Sequence, residues 1–408
     1  NPLTYWGTTI NEGVLAIGSL ANIGGNTGPL TLAGGTLRLL PGFSDDVSQR
    51  GVTFLSAGGT LDVGANNLVF ANAIGGAVGV GIGGLTKAGT GSLTLAATST
   101  YMGATTVANG TLVLGGGASN RLPTAGELFL GSGAGSASGV LQLGNADGAS
   151  NQTVSSLSGI TGIQAADLTI LNPGQAFTSA PTITFDAIGG LMGAQGAQAV
   201  ATVLNGIITG ITITDPGSYR PGFAPVVTVT GGAGNSASIV VRSLGSVSNN
   251  ALVGGASAIS NLTVDQDIAT IYNGAIGGLG ANQNNIGLIK SGIGTLTLTG
   301  ATLSYVGQTT VLGGRLNLAG GQSAPLGTSS VKVNAGAILN FNNTVGQAVG
   351  LGAGVLDLGA GASGSASLGF DIGSLAAFGL VFASFALIPG SLAWYYFVWV
   401  LVGLVGIG

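Results

Sequence analysis

The sequence has 408 residues, of which 79 are glycine and only 5% are charged. The glycines follow no strict three-residue period, which excludes a collagen-like chain. The hydrophobic content of 45% excludes a disordered chain, because disorder combines low hydrophobicity with high charge.

The net charge is −4, from 13 acidic and 9 basic residues, and the basic residues are scattered singly. A nucleic-acid-binding surface needs clustered Lys and Arg, so we expect no nucleic-acid partner. A surface with so few charges gives little electrostatic protection against self-association. It therefore favours a protein whose surface is covered by other copies of itself.

Cysteine and histidine are both absent. Without them the chain has no disulfide, no Ser-His or Cys-His catalytic pair, and no His or Cys ligand for zinc. We therefore expect no catalytic residues, no cofactor and no enzyme activity.

The first part of the chain, residues 1–163, repeats one short pattern: a glycine, then two apolar residues separated by one residue. Alternation of this kind predicts a half-buried strand, and the glycine marks the turn before it. The strands begin roughly 19 to 32 residues apart, which is typical of solenoids. No amphipathic helix intervenes, so we predict a right-handed parallel β-helix. The pattern occurs at residues 35–39, 59–63, 91–95, 110–114 and 139–143.

Residues 164–243 differ from this pattern. Two segments, 172–185 and 215–229, each contain a Pro-Gly turn followed by an aromatic residue and a β-rich run. Between them, Asn205-Gly206 separates two β-rich runs, which is a strong hairpin signal. We predict a small antiparallel β module inserted into the solenoid.

Solenoid character returns in residues 244–371, and residues 372–408 form an apolar segment. Residues 372–408 contain no charged side chain. Two interpretations stay open: a membrane or sorting segment, or buried β structure that docks into a neighbouring subunit. The candidate interface residues of this segment are aromatic: Trp394, Tyr395, Tyr396 and Trp399.

Two stretches, residues 84–115 and 287–318, are copies of one unit. Lys87 aligns with Lys290, and Tyr101 aligns with Tyr305. Their form resembles the autotransporter-associated β-strand repeat, G-L-x-K-x-G-x-G-T-L-x-L followed by Tyr-x-G and T-T-V. The resemblance implies a secreted right-handed parallel β-helix at the outer cell surface of a Gram-negative-type bacterium.

Two further expectations concern this resemblance. The Pro-Gly-Tyr module is similar to a repeat of phage structural proteins and large bacterial surface proteins. An autotransporter would also carry a translocator barrel of about 200 further residues, by the size of such barrels. We find none in the sequence, so we expect a fragment of a larger protein or export by another route.

Carboxylates are the remaining source of chemistry, either as a polysaccharide-cleaving pair or as a cation site. Adjacent Asp45 and Asp46 would point to opposite faces of a strand, so a solvated turn is the simpler interpretation. Asp265 and Asp267 would share a face, which makes them weak calcium-ligand candidates, with solvent-facing side chains as the alternative. The carboxylates considered are Asp45, Asp46, Asp62, Glu127, Asp265 and Asp267.

Three functions follow as hypotheses. The first is a secreted, non-catalytic structural protein that polymerises with its own copies through the rod ends and the apolar C-terminal segment, or associates with the outer membrane. The second is a singly displayed adhesin rod whose 164–243 insertion binds a ligand. The third is a polysaccharide-active β-helix enzyme.

Overall fold

The computed structural model describes residues 6–24, 28–76, 81–115, 117–133, 138–186, 196–242, 249–300, 302–319, 330–343, 356–358 and 367–372. Over these residues the chain is all-β, a parallel β-solenoid of about 12 turns with antiparallel sheets attached. The all-β solenoid prediction is confirmed. Short 3-10 helices occur at Leu20–Ile23, Val47–Arg50 and Ala165–Asp167. None of the helices in the described ranges is long and apolar enough to cross a membrane.

The solenoid before the insertion is built from strands of three to five residues. Strands that follow one another in the chain belong to different sheets, and the corresponding strands of successive coils pair within one sheet. The strands are β1 (Thr8–Ile10), β2 (Val14–Ile17), β3 (Leu30–Leu32), β4 (Thr36–Leu39), β5 (Val52–Phe54), β6 (Gly59–Asp62), β7 (Leu68–Phe70), β8 (Leu85–Ala88), β9 (Ser92–Leu95), β10 (Thr105–Val107), β11 (Gly110–Leu114), β12 (Glu127–Leu130), β13 (Gly139–Leu143), β14 (Gln152–Val154) and β15 (Ser156–Gly159).

The inserted module contains the strands β16 (Leu168–Gln175), β17 (Thr182–Phe185), β18 (Gln198–Leu204), β19 (Ile207–Asp215), β20 (Val227–Thr230) and β21 (Asn235–Val241). All its pairings are antiparallel, in a sheet of order β19-β18-β17-β20 and a β16-β21 pair. The predicted hairpin is present: Asn205 and Gly206 have φ values of 54° and 77°. Positive φ at both central residues is what a type I′ hairpin turn requires. The module also has its own hydrophobic core, around Ile183, Phe185 and Tyr219.

The solenoid after the insertion contains the strands β22 (Ala251–Gly254), β23 (Ser260–Asp265), β24 (Thr270–Tyr272), β25 (Ala275–Ile276), β26 (Ile286–Ser291), β27 (Thr295–Leu298), β28 (Thr309–Val311), β29 (Arg315–Ala319), β30 (Val331–Val333), β31 (Ile338–Asn343), β32 (Leu356–Leu358) and β33 (Ser367–Ile372). Their pairings within the solenoid are parallel.

The solenoid is continuous across the insertion. Strand β13 pairs with β22 so that Leu141 lies beside Leu252, and β14 pairs with β23 so that Val154 lies beside Val264. The coils before and after residues 164–243 therefore stack directly, and the module leaves and re-enters the solenoid without breaking its ladders.

Four parallel sheets carry most of the solenoid. One sheet lies before the insertion and has the order β15-β12-β10-β8-β6-β4-β2. A second sheet, β25-β22-β13-β11-β9-β7, contains strands from both sides of the insertion. After it, the orders are β14-β23-β26-β28-β30-β32 and β24-β27-β29-β31-β33. Side chains point to alternate faces along each strand, so every second one faces the interior of the solenoid. The inward side chains of paired strands form rows, such as the aligned and fully buried Leu93, Leu112 and Leu141. These rows merge into one apolar core that runs along the solenoid.

Candidate functional site

Lys87 lies in the solenoid core. On β8 it occupies the inward row between Leu61 of β6 and Val107 of β10, and its side chain is fully buried. Its Nζ donates to the carbonyl oxygens of Gly89 at 2.7 Å, Gly91 at 2.5 Å and Asn109 at 2.7 Å. An ammonium group has three N–H donors, so all of them are used.

Lys290 repeats this arrangement in the second copy. It lies between Val264 and Val311 in the inward row and is also fully buried. Its Nζ donates to the carbonyl oxygen of Gly292 at 3.0 Å, to that of Gln266 of the preceding coil at 3.5 Å, and to that of its neighbour Ser291.

Burial disfavours the charged form of both lysines. It lowers the pKa of Lys87 to about 8, against an opposing effect of the Asp62 carboxylate. It also lowers the pKa of Lys290, which Asp265 and Asp267 oppose. Because every donor is occupied by backbone, the two ammonium groups hold turns together and are not exposed binding groups. The sequence contains a signal for this inward position, because Lys87 is in phase with the inward residue Leu85.

Glycines form the turns that follow and face each buried lysine. Gly89 and Gly292 have φ values of 83° and 72°, a region that side-chain-bearing residues rarely adopt. A Cβ on Gly110 would lie 2.5 Å from Nζ of Lys87. The glycines of these turns are therefore required by positive φ and by the close approach of neighbouring coils, and Gly110 also leaves space for the ammonium of Lys87.

Asp265 and Asp267, the calcium candidates, lie at this second lysine turn. The Asp265 carboxylate accepts from the Ser291 hydroxyl at 2.9 Å, and that of Asp267 accepts from the Ile293 amide at 3.1 Å. Both side chains are exposed and link one coil to the next. Within the described ranges, no group of three or more His, Cys, Asp or Glu residues could hold a metal ion.

The other carboxylates also have structural partners. Asp45 accepts from the Leu20 amide at 2.7 Å, and Asp46 accepts from the Ser48 amide at 2.9 Å as the cap of a 3-10 helix. Asp62 forms an ion pair with Arg38 of the preceding coil at 2.8 Å. These acids join neighbouring coils or close turns.

The repeated tyrosines are core residues. Tyr101 and Tyr305 are fully buried, and each hydroxyl lies 2.6 Å from a threonine hydroxyl, Thr105 or Thr309, four residues ahead. Burial raises the pKa of both hydroxyls. Both rings therefore pack in the solenoid core, and neither is available to stack on a ligand.

A groove of about 520 Å³ lies where the inserted module meets the solenoid. Its floor is an outward row of hydroxyls from three adjacent strands, in which Thr60, Thr86 and Thr106 are aligned in register. The next residue of that row is Phe129 of β12, where the groove ends.

Arg220 of the module forms the end wall of the groove. Its guanidinium lies over the Phe129 ring, 4.8 Å from the centroid, and contacts both oxygens of Glu127 at 3.3 Å. Phe129 is therefore buried although it points outward. Because Arg220 is 93 residues from Glu127 in sequence, the groove could not be found from local patterns.

The Pro-Gly-Tyr segment fixes Arg220 in place. Tyr219 exchanges two backbone hydrogen bonds with Thr161 of the solenoid, at 2.9 and 2.8 Å, and Ile163 donates to the Pro216 carbonyl at 2.8 Å. The Tyr219 ring is buried in the module, where its hydroxyl accepts from the Ala197 amide at 2.6 Å. The module is thus anchored to the rod at the residues beside the groove.

The predicted aromatic interface, Trp394, Tyr395, Tyr396 and Trp399, lies outside the described residues, as does the rest of 373–408.

A family model described as the passenger-associated-transport-repeat matches residues 85–114 and 288–318. These are the two copies recognised in the sequence, and each match contains one buried lysine and one buried tyrosine. The resemblance to passenger-type repeats is confirmed for these ranges. Comparisons with curated proteins and with solved structures gave no match.

Proposed function

We propose that this chain is a secreted, non-catalytic structural rod on the outer surface of a Gram-negative-type bacterium, and that it assembles with copies of itself. The observation that carries the proposal is the passenger-type repeat, which occurs twice in one continuous solenoid. Repeats of this type are associated with surface-exposed, exported proteins.

Three features support assembly. Charged residues make up only 5% of the chain, so copies repel each other weakly. Any parallel solenoid ends in strands with free backbone donors and acceptors, which pair readily with another chain. The apolar segment 372–408 offers a docking element for a neighbour.

Electron microscopy and sedimentation of the purified chain at micromolar concentration test this assembly. We expect regular polymers whose width is that of one or a few solenoids. A chain ending at residue 371 is the matched variant, and we expect its polymers to be shorter or absent. Monodisperse monomers of the full chain, with no polymers on cells, would show that assembly is not its function.

The groove beside the module favours a second function, that of an adhesin displayed singly. The module is anchored to the rod through Thr161 and Ile163, so it can present a rigid binding surface. Joining residue 163 to residue 244 through a short Gly-Ser linker removes the module while leaving the β13–β22 and β14–β23 pairings available. We expect adhesion of cells to be lost while the circular dichroism spectrum remains that of a β protein. Unchanged adhesion would exclude this function.

A further inference from the structure

We propose that the groove between the module and the solenoid binds an uncharged, linear polysaccharide chain that lies along the rod axis. This inference deepens the second function above and does not depend on self-assembly.

The floor of the groove presents hydroxyls at the spacing of the coils. Thr60, Thr86 and Thr106 are partly exposed and stand on adjacent parallel strands, which lie about 4.8 Å apart. None of these hydroxyls has a hydrogen-bond partner among the residues that the structure describes. A hydroxyl both donates and accepts, as a sugar hydroxyl does, so each one can pair with a sugar.

The spacing selects a repeating ligand. One hydroxyl per coil matches a polymer that advances along its axis by close to the strand spacing for each monomer, as an extended β-1,4-linked hexose chain does for each sugar. A peptide strand would instead seek the backbone edge of a sheet. These strands are paired on both sides, so they offer no edge.

Small residues flank the hydroxyl row. The groove is lined just before strands β6, β8 and β10 begin by Gly58, Gly84, Gly103 and Ala104. With no larger side chain at these positions, a flat sugar ring can approach the hydroxyls and the backbone closely.

The charges in the groove indicate a neutral ligand. Arg220 and Glu127 are the charged residues of its lining, and they neutralise each other at 3.3 Å. Their side chains are 27% and 34% exposed, so together they offer a sugar diol both a donor and an acceptor. An acidic polysaccharide would find no unpaired cation there, and a lipid would find no apolar wall because Phe129 is covered.

Binding of soluble hexasaccharides to the full chain, measured by isothermal titration calorimetry, tests the proposal. The probes are β-1,4-linked hexamers of glucose, mannose and N-acetylglucosamine, with oligogalacturonate as the acidic comparison. We expect at least one neutral hexamer to bind and oligogalacturonate not to bind. Failure of all three neutral probes, or binding of the acidic probe alone, would overturn the proposal.

Substitutions in the hydroxyl row locate the ligand. Thr86→Val removes one hydroxyl with little change of shape, and valine is well tolerated in strands. Loss of one hydrogen bond should weaken binding about fivefold. The triple variant T60V/T86V/T106V should show no measurable binding, while its circular dichroism and thermal unfolding remain those of the unaltered chain.

The matched control is Thr94→Val. Thr94 is also partly exposed and outward-facing, but it lies on β9 in a different sheet. Binding should be unchanged in this variant. If the triple variant binds as well as the unaltered chain, the ligand lies elsewhere and the proposal is wrong. If adhesion is lost on removal of the module but kept in the triple variant, the adhesin function stands and the glycan groove does not.

Discussion

The two copies of the repeat share one core and differ on their outer faces. Lys87 and Lys290 occupy the same inward position, each between two apolar residues of adjacent coils. On the outward row of the same strands, however, Thr86 in the first copy corresponds to Ile289 in the second. The shared part of the repeat specifies two successive coils, whereas the variable outward position lets the first copy line the groove beside Arg220.

The copies also differ in how each lysine joins its neighbours. Lys87 reaches forward to Asn109 of the following coil, whereas Lys290 reaches back to Gln266 of the preceding one. The nearby acids differ as well, Asp62 in the first copy and Asp265 with Asp267 in the second. One sequence motif therefore supports two directions of attachment between coils.

Replacing each lysine by methionine should have the largest effect. Lys87→Met keeps the side-chain length but removes the donor to three carbonyls. The Gly91 carbonyl still accepts from the Thr111 amide, whereas those of Gly89 and Asn109 lose this donor. At about 1–3 kcal/mol for each of these two buried groups, the variant should lose about 2–6 kcal/mol of stability. Hydrogen exchange followed by mass spectrometry shows where the loss occurs. We expect faster exchange in the following coil, residues 105–111, for Lys87→Met.

The Lys290→Met variant is the comparison. We expect faster exchange in the preceding coil, residues 262–268, because of the contact with Gln266. If both variants loosen the same side of their turn, the difference in direction between the copies does not hold. Exchange unchanged in both would show that the buried ammonium groups do not stabilise the turns.

The pH dependence of stability follows from the lowered lysine pKa. In the unfolded chain a lysine keeps a pKa near 10.4, whereas in the folded chain the pKa of Lys87 is about 8. Between these values the unfolded chain binds more protons, so stability rises with pH, by about 2 kcal/mol from pH 8 to pH 10. Above pH 10 the rise should reverse, because burial raises the pKa of Tyr101 and Tyr305 and only the unfolded tyrosines ionise.

Chemical denaturation between pH 7 and pH 10.5 measures this profile. The Lys87→Met variant should lose much of the rise and keep the decrease above pH 10. A rise of full size in the Lys87→Met variant would assign the effect to other groups.

The repeat predicted the solenoid because its signal is local: alternating leucines and a turn glycine every coil. The Asn205-Gly206 hairpin was visible for the same reason. The role of Lys87 does not follow from residue type, because a lysine usually faces solvent, and only its phase with Leu85 indicates that it points inward. The groove depends on Arg220 meeting Glu127 and Phe129 across the insertion, a contact that no local pattern encodes.

Removing the tyrosine hydroxyls should have a smaller effect, similar in both copies. Tyr101→Phe and Tyr305→Phe each remove one buried hydrogen bond to a threonine four residues ahead, which should cost about 1 kcal/mol. Denaturation midpoints at pH 7 measure the two losses. A loss in one variant only would show that the two coil corners are not equivalent.

Removing a carboxylate beside either lysine should have the smallest effect. Asp62→Asn removes the one carboxylate that opposes the lowering of the Lys87 pKa, so this pKa should fall further. Asp62 also pairs with Arg38, which is half exposed, so the pair adds little to stability at neutral pH. Stability at pH 7 should change by less than about 1 kcal/mol, and the rise with pH should begin at a lower pH than in the unaltered chain.

Asp265→Asn should shift the profile less, because Asp267 still opposes the lowering of the Lys290 pKa. Equal shifts in the two variants would mean that the number of acids beside each lysine does not set the difference between the copies.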